Sequence, residues 1–177
     1  EGVKQMDVDK MKDLLMTKYE FDSNRDTTVF VDYQNCYSFT SVMPIREMFV
    51  NTAEALIEQK RYDEAVELMD RCYEVTPNAN YPYNVSVFGG INELLVINSI
   101  EIYLALGEKE KAFKLYDEFF KQTQSALIYF TQNIGGYVLD ESQAKRNANY
   151  LYYLGSLMTK YGYPEKDEEI NKFIDEL

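Results

Sequence analysis

The sequence predicts an all-α fold built from repeated helix pairs, on three observations. Apolar residues recur at helical spacing in two matched registers. One holds Phe49, Ala53 and Leu56, then Tyr62, Ala65, Met69 and Cys72; the other holds Val96, Ile100 and Tyr103, then Ala112, Tyr116 and Phe119. In each register a tight break separates two helices, and a small residue, Ala65 or Ala112, near the start of the second lets the pair approach closely. Finally, helix stops fall where pairs must end or turn: Pro77, Gly107, and Gly162 with Pro164.

This spacing is that of a tetratricopeptide repeat, with Pro77 in the place where the pattern ends a unit. Residues 6 to 20 read as a short helix with Met6, Met11, Leu14, Leu15 and Lys18 on a loosely amphipathic face. From 22 to 44 the chain reads as extended: Asp22-Ser23-Asn24 is turn chemistry and Thr28-Val29-Phe30-Val31 is β-branched and aromatic. Residues 1–44 therefore form a capping helix and extended segment, and 45–177 the helical repeat, one domain in all. Within the repeat, the first pair spans Ile45 to Gln59 and Tyr62 to Val75. Ala65 and Ala112 stand further apart than the repeat period of about 34 residues. The surplus is an insertion from Asn80 to Gly90 ending in a Gly-Gly hinge. The second pair runs from Ile91 to Leu106 and from Glu108 to about Thr131. A second Gly-Gly at 135–136 precedes a divergent third pair, Ser142 to Tyr161 and Pro164 to Leu177, whose Tyr150, Tyr152 and Tyr153 close that end.

Composition narrows function. The 177 residues carry 30 acids against 18 bases, a net charge of −12 that repels nucleic-acid backbones and anionic lipid. Histidine is absent, which removes the commonest general base and metal ligand and every histidine-based nucleophile system. No apolar run is long enough to span a bilayer and no signal-peptide pattern opens the chain. The start at Glu1-Gly2 without methionine suggests a piece of a longer protein. Two cysteines are too few for a disulfide framework. Cys72 reads as a buried thiol between helices, while a bridge to Cys36 stays open.

Several motifs invite chemistry and do not carry it. Asp22, Asn24, Asp26 and Thr28 alternate as in a calcium loop, yet Thr27 stands at the turn glycine and Tyr33 at the bidentate acid. A solvated turn is the better account. Asn84-Val85-Ser86 is a formal glycosylation sequon, a three-residue match that decides nothing. Acid pairs such as Glu54 and Glu58 lie on helix faces among lysines elsewhere, not across an apolar cleft as glycoside hydrolysis requires. The Gly-Gly pairs lack the lysine and hydroxyl of a phosphate loop. No catalytic, cofactor-binding or metal-ligating residue is predicted.

The tetratricopeptide pattern implies a concave face lined by the first helix of each pair. Its positions here are Glu47, Val50, Glu54, Ile57 and Glu58, then Leu94, Ile97, Glu101, Leu104 and Ala105. Chaperone-binding members of that family hold a terminal carboxylate with basic residues, which this acidic and apolar face lacks. A basic or apolar peptide segment suits it better. Equally, the extended Val29 to Tyr33 segment or the third pair fills the face.

A more specific resemblance rests on ordered motifs: Ala53 to Ala65, Met69-Asp70-Arg71-Cys72, Pro77, Tyr81-Pro82-Tyr83, the run from Tyr103 to Ala112, and upstream Val29-Phe30-Val31-Asp32. Over roughly residues 26 to 177 they resemble the C-terminal tail of large polytopic membrane proteins of Bacteroidetes. The N-terminal part of those proteins is similar to protein O-mannosyltransferases of the GT-C glycosyltransferase class. The resemblance implies a noncatalytic soluble appendage on the periplasmic face of the inner membrane. Its partners would be a protein or peptide segment or its own membrane domain, with membrane association only through the missing N-terminal part. Asp26-Thr27-Thr28 also resembles the short acceptor motif of O-glycosylation in that group. The competing expectation is a carbohydrate-binding helical protein of the cell envelope, although the chain has 16 tyrosines and no tryptophan for sugar stacking.

Overall fold

The computed structural model describes residues 6–32, 42–85, 90–132 and 138–177, with the side chains of 138–140 excepted. Cys36, Tyr33, the Gly135-Gly136 pair and Ser86 to Gly89 lie outside the described residues. The described residues are all-helical, without a strand. The chain forms two compact units, Glu1–Pro82 and Tyr83–Leu177. The N-terminal helix lies in the first unit, packed on the first helix pair.

In the first unit, α1 (Val8–Asp13) is capped by the Asp7 side chain, which accepts from the Lys10 amide at 3.0 Å. It widens into a π-type turn, Leu14–Lys18, that buries Leu15. A short α2 (Asp22–Arg25) follows inside the stretch expected to be extended. The turn chemistry of Asp22-Ser23-Asn24 closes one helical turn there, and Asn80 clips it by donating to the carbonyls of Asn24 and Asp26, each at 2.9 Å. Helix α3 (Val42–Glu58) begins before the expected Ile45. Pro44 sits in its first turn, where the missing N–H would have had no partner in the helix. Lys60, at φ 61°, turns the chain into α4 (Tyr62–Val75).

The core of this unit sets Phe49, Ala53 and Leu56 of α3 against Ala65, Met69 and Cys72 of α4, as the spacing predicts, with Leu68 added and all fully buried, whereas Tyr62 of the same register is 50% exposed. Phe21 adds its ring beside Phe49, centroids 6.0 Å apart. Arg46 is also in the interior. Its guanidinium donates to the hydroxyl and carbonyl of Thr76, both at 3.2 Å, and to the Tyr81 carbonyl at 2.8 Å. It thereby places a positive charge at the C-terminal end of α4, where the helix dipole favours one.

In the second unit α5 (Ile91–Ala105) is the central helix, apolar on nearly every side and packed on both α6 (Lys109–Gln132) and α7 (Val138–Lys160). Gly90, at φ +80°, starts it, and no larger residue fits because a Cβ there would run into the Tyr150 hydroxyl. Helix α7 begins at Val138, ahead of the expected Ser142, since the apolar Val138-Leu139 continues the helix upstream. Helix α8 (Pro164–Asp175) opens on proline and packs on α7 and α6. Gly155 of α7 lets α8 approach: a Cβ there would strike the Asp167 carboxylate. Lys166 of α8 lies over the rings of Tyr116 and Phe113 of α6, at 4.7 and 5.7 Å, and pairs with Asp117 at 3.2 Å.

Candidate functional site

The residues expected on a concave face fall in separate units, one set on α3 and the other on α5. On α3 the period of 3.6 turns Glu47, Asn51, Glu54 and Glu58 outward. The helix holds one cation, Arg46, and that side chain is buried, so every outward charge of α3 is a carboxylate. Ile57 is half-buried at the edge of this face. Val50 is not part of it: with Phe49 and Ala53 it is core, and that corrects its assignment to an interaction surface.

Beside Glu58 the N-terminal helix lies across α3 and leaves a cleft of about 430 Å³ lined by Met6, Val8, Asp9, Ala55, Glu58 and Gln59. Its lining mixes apolar Met6, Val8 and Ala55 with polar Asp9, Glu58 and Gln59. Asp9 is already tied to Arg61 at 2.7 Å. Arg61 also grips Glu64, which Lys12 reaches at 2.6 Å. These contacts, Arg61 first and Lys12 second, hold the Glu64 carboxyl down to about 2. Ion pairs so disposed pin α1 beside the start of α4 and leave Glu58 facing the cleft. Val29 and Phe30 are 50% and 89% exposed.

On α5 the outward stripe is Ile91, Leu94, Asn98, Glu101 and Ala105. Leu94 is exposed as expected. Glu101 is half-buried and accepts from Lys160 of α7 at 2.6 Å. Ile97 and Leu104 are buried in the core of the unit, a second correction. Sequence spacing transferred the family's face positions a step off the stripe that burial leaves free, because an apolar helix gives no polar side from which to set the register.

The most elaborate polar arrangement was not expected at all. Tyr83, Asn84 and Val85 are held by side chains of three helices. The amides of Tyr83 and Asn84 both donate to Gln122 Oε1 of α6, at 2.8 and 2.9 Å. The Val85 amide donates to Glu93 Oε1 at 3.0 Å, and Asn92 Nδ2 donates to the Tyr83 carbonyl at 2.8 Å. Asn84 Nδ2 donates to Thr123 Oγ1 at 2.9 Å and to Asn147 Oδ1 of α7 at 2.7 Å. Asn92, Glu93, Thr123 and Asn147 are each at most 1% exposed. Burial, and next the Glu93 carboxylate, push the neighbouring Tyr150 hydroxyl up to about 12. The sequon asparagine is thus half-buried, with its side-chain amide engaged in hydrogen bonds within the fold.

The calcium-like loop is a clipped turn. Asp26 accepts from the amide and hydroxyl of Thr28, at 2.9 and 2.6 Å, which lowers its pKa, and Asp22 pairs with Arg25. Among the described residues no cluster of acids and cysteine is placed to hold a metal ion. Cys72 is a free thiol, and burial raises it to about 12. No helix among the described residues is long and apolar enough to cross a membrane. In comparison with known proteins, no family model, no curated protein and no solved structure matches the chain.

Proposed function

We propose that this chain is a noncatalytic protein-interaction module of the tetratricopeptide type, which binds a lysine- or arginine-bearing segment of a partner polypeptide on the outward side of α3. One observation carries the reading: all the outward charges of α3 are carboxylates, and one of them, Glu58, lines a cleft together with apolar Met6, Val8 and Ala55. A lysine fits that combination, its methylene stem over Met6, Val8 and Ala55 and its ammonium at Glu58. Three consecutive helix pairs with short turns, and full burial of Ala65 and Ala112, support the repeat type. The sequence resemblance supplies a setting: a tail of a membrane glycosyltransferase at the periplasmic face, where the segment belongs to its own membrane domain or to a protein brought to it.

Exposed carboxylates act on encounter more than on affinity, and salt screens them over about 10 Å at 0.1 M. Replacing Glu47, Glu54 and Glu58 together with glutamine is expected to slow association of an amphipathic lysine–leucine peptide several-fold at low salt and to flatten its salt dependence. An association rate and salt slope equal to those of the parent chain would remove α3 as the binding face.

A further inference from the structure

Charge is spread unevenly over the second unit. It is dense where α5 gives way to α6, from Glu108 to Lys111, and where α7 gives way to α8, from Glu165 to Glu169. Lys109 lies over the Tyr163 ring at 4.6 Å, so both joins share one end. The other end is nearly free of charge. From Gln122 to Leu139 no residue is charged, although charged residues make up 27% of the chain. Tyr83 to Asn92, also uncharged, reaches the same end, where Asn84 donates to Thr123 of α6. On α7 the acids Asp140 and Glu141 are followed one turn on by Lys145 and Arg146, and Glu141 pairs with Lys145 at 2.6 Å.

Helix α6 projects from this end. Helix α8 accompanies it, with Lys166 over Tyr116 and Phe173 against Phe120 at 6.2 Å, and then stops at Asp175. The last two turns of α6, Ser125 to Gln132, run on past it, about 10 Å of helix at about 1.5 Å per residue. They expose Ile128 and Tyr129, by 37% and 60%, and Phe130 stands edge-on to Tyr129 at 5.1 Å. Tyrosine with apolar neighbours suits the boundary between lipid chains and headgroups, since its ring is apolar and its hydroxyl polar. Helices that rest in that boundary bury their apolar side by about 5–10 Å, a depth the overhang supplies without drawing in Lys121 or the acids of α8. Charge decides against other occupants. A second copy would bring a further −12 to a contact of few side chains, and an anionic bilayer would meet the same repulsion. A basic segment finds no carboxylate between Ser125 and Gln132.

We infer that the overhanging end of α6 is a lipid contact, which lays Ile128 and Tyr129 into the interface of a zwitterionic bilayer without spanning it. The contact belongs to the second unit and does not depend on the α3 face.

The test uses the full chain with phosphatidylcholine vesicles at millimolar lipid, and vesicles containing phosphatidylglycerol for comparison. The chain has no tryptophan, so Tyr129→Trp supplies a single reporter. Its emission is expected to shift to the blue on phosphatidylcholine vesicles and to be quenched by lipid brominated high in the acyl chains. Ile128→Ser combined with Tyr129→Ser, at exposed positions outside the core, should cut the fraction floating with vesicles by at least about fivefold. Phosphatidylglycerol should lower flotation of the parent. No flotation of the parent, flotation unchanged in the serine variant or raised by phosphatidylglycerol, or reporter emission indifferent to vesicles would each overturn the inference. So would a blue shift that grows with protein concentration without lipid, which would assign the overhang to a second copy.

Discussion

Replacing Arg46 with methionine tests how the first unit is held together. Methionine keeps an apolar stem of similar reach and removes the guanidinium. The carbonyls of Thr76 and Tyr81 and the Thr76 hydroxyl then lose a donor inside the fold. Leaving a buried acceptor without a partner costs about 1–3 kcal/mol. Two carbonyls give about 2–6 kcal/mol, and relief from desolvating the guanidinium offsets part of that, for a net loss of about 2–4 kcal/mol. Such a loss is large against a typical domain stability of about 5–15 kcal/mol. With a urea dependence of about 2 kcal/mol per molar, the unfolding midpoint should fall by about 1–2 M with an unchanged slope. Arg46→Lys, which retains charge but lacks the guanidinium fork that spans these acceptors, should fall in between. A methionine variant as stable as the parent would refute the argument that these carbonyls depend on Arg46.

Gly90→Ala and Gly107→Ala share a φ of +80°, but a Cβ meets the Tyr150 hydroxyl at Gly90 and open space at Gly107. Thermal unfolding should show a loss of about 1–2 kcal/mol at Gly107 and a clearly larger one at Gly90, partly recovered by adding Tyr150→Phe. Glu64 has its pKa lowered from 4.5 to about 2 in the folded state, so its contribution is present above 4.5 and is lost as pH falls toward 2. Urea midpoints of Glu64→Gln should therefore converge on those of the parent across that acid window. Enlarging the fully buried Ala65 or Ala112 to leucine should cost about 1–3 kcal/mol by overpacking, read as a lowered unfolding midpoint; neutrality of both would take those alanines out of the helix contacts.

Helix α4 was legible because its apolar residues repeat cleanly and stops bound it on both sides; its span, Tyr62–Val75, matches the sequence reading. The start of α3 was not, because proline in a first turn and proline as a terminator look alike without the fold. β-branched Val29 and Val31 suggested extension, but the neighbouring Asp22-Ser23-Asn24 closes a turn of helix that depends on Asn80, distant in the chain. The acidic side of α3 was visible in Glu47, Glu54 and Glu58. Val50, Ile97 and Leu104 were misplaced because apolar residues on a buried helix read the same on either side of it. Asn84, Gln122, Thr123 and Asn147 carried no shared local signal; only the packing of three helices brings them together. Buried Arg46 likewise looked like any surface cation. One cue did exist: asparagines or glutamines set in otherwise apolar stretches, such as Asn92 before Leu94 to Ile97, mark interior polar contacts.

The binding claim rests on the cleft between α1 and α3, and a ¹⁵N titration of the full chain with the amphipathic lysine–leucine peptide tests it most directly. Saturable amide shifts should center on Val8, Ala55, Glu58 and Gln59, weaken as salt is raised, and shrink in Glu58→Gln. Shifts confined to other surfaces, or shifts at these residues that ignore both salt and the Glu58 substitution, would contradict it.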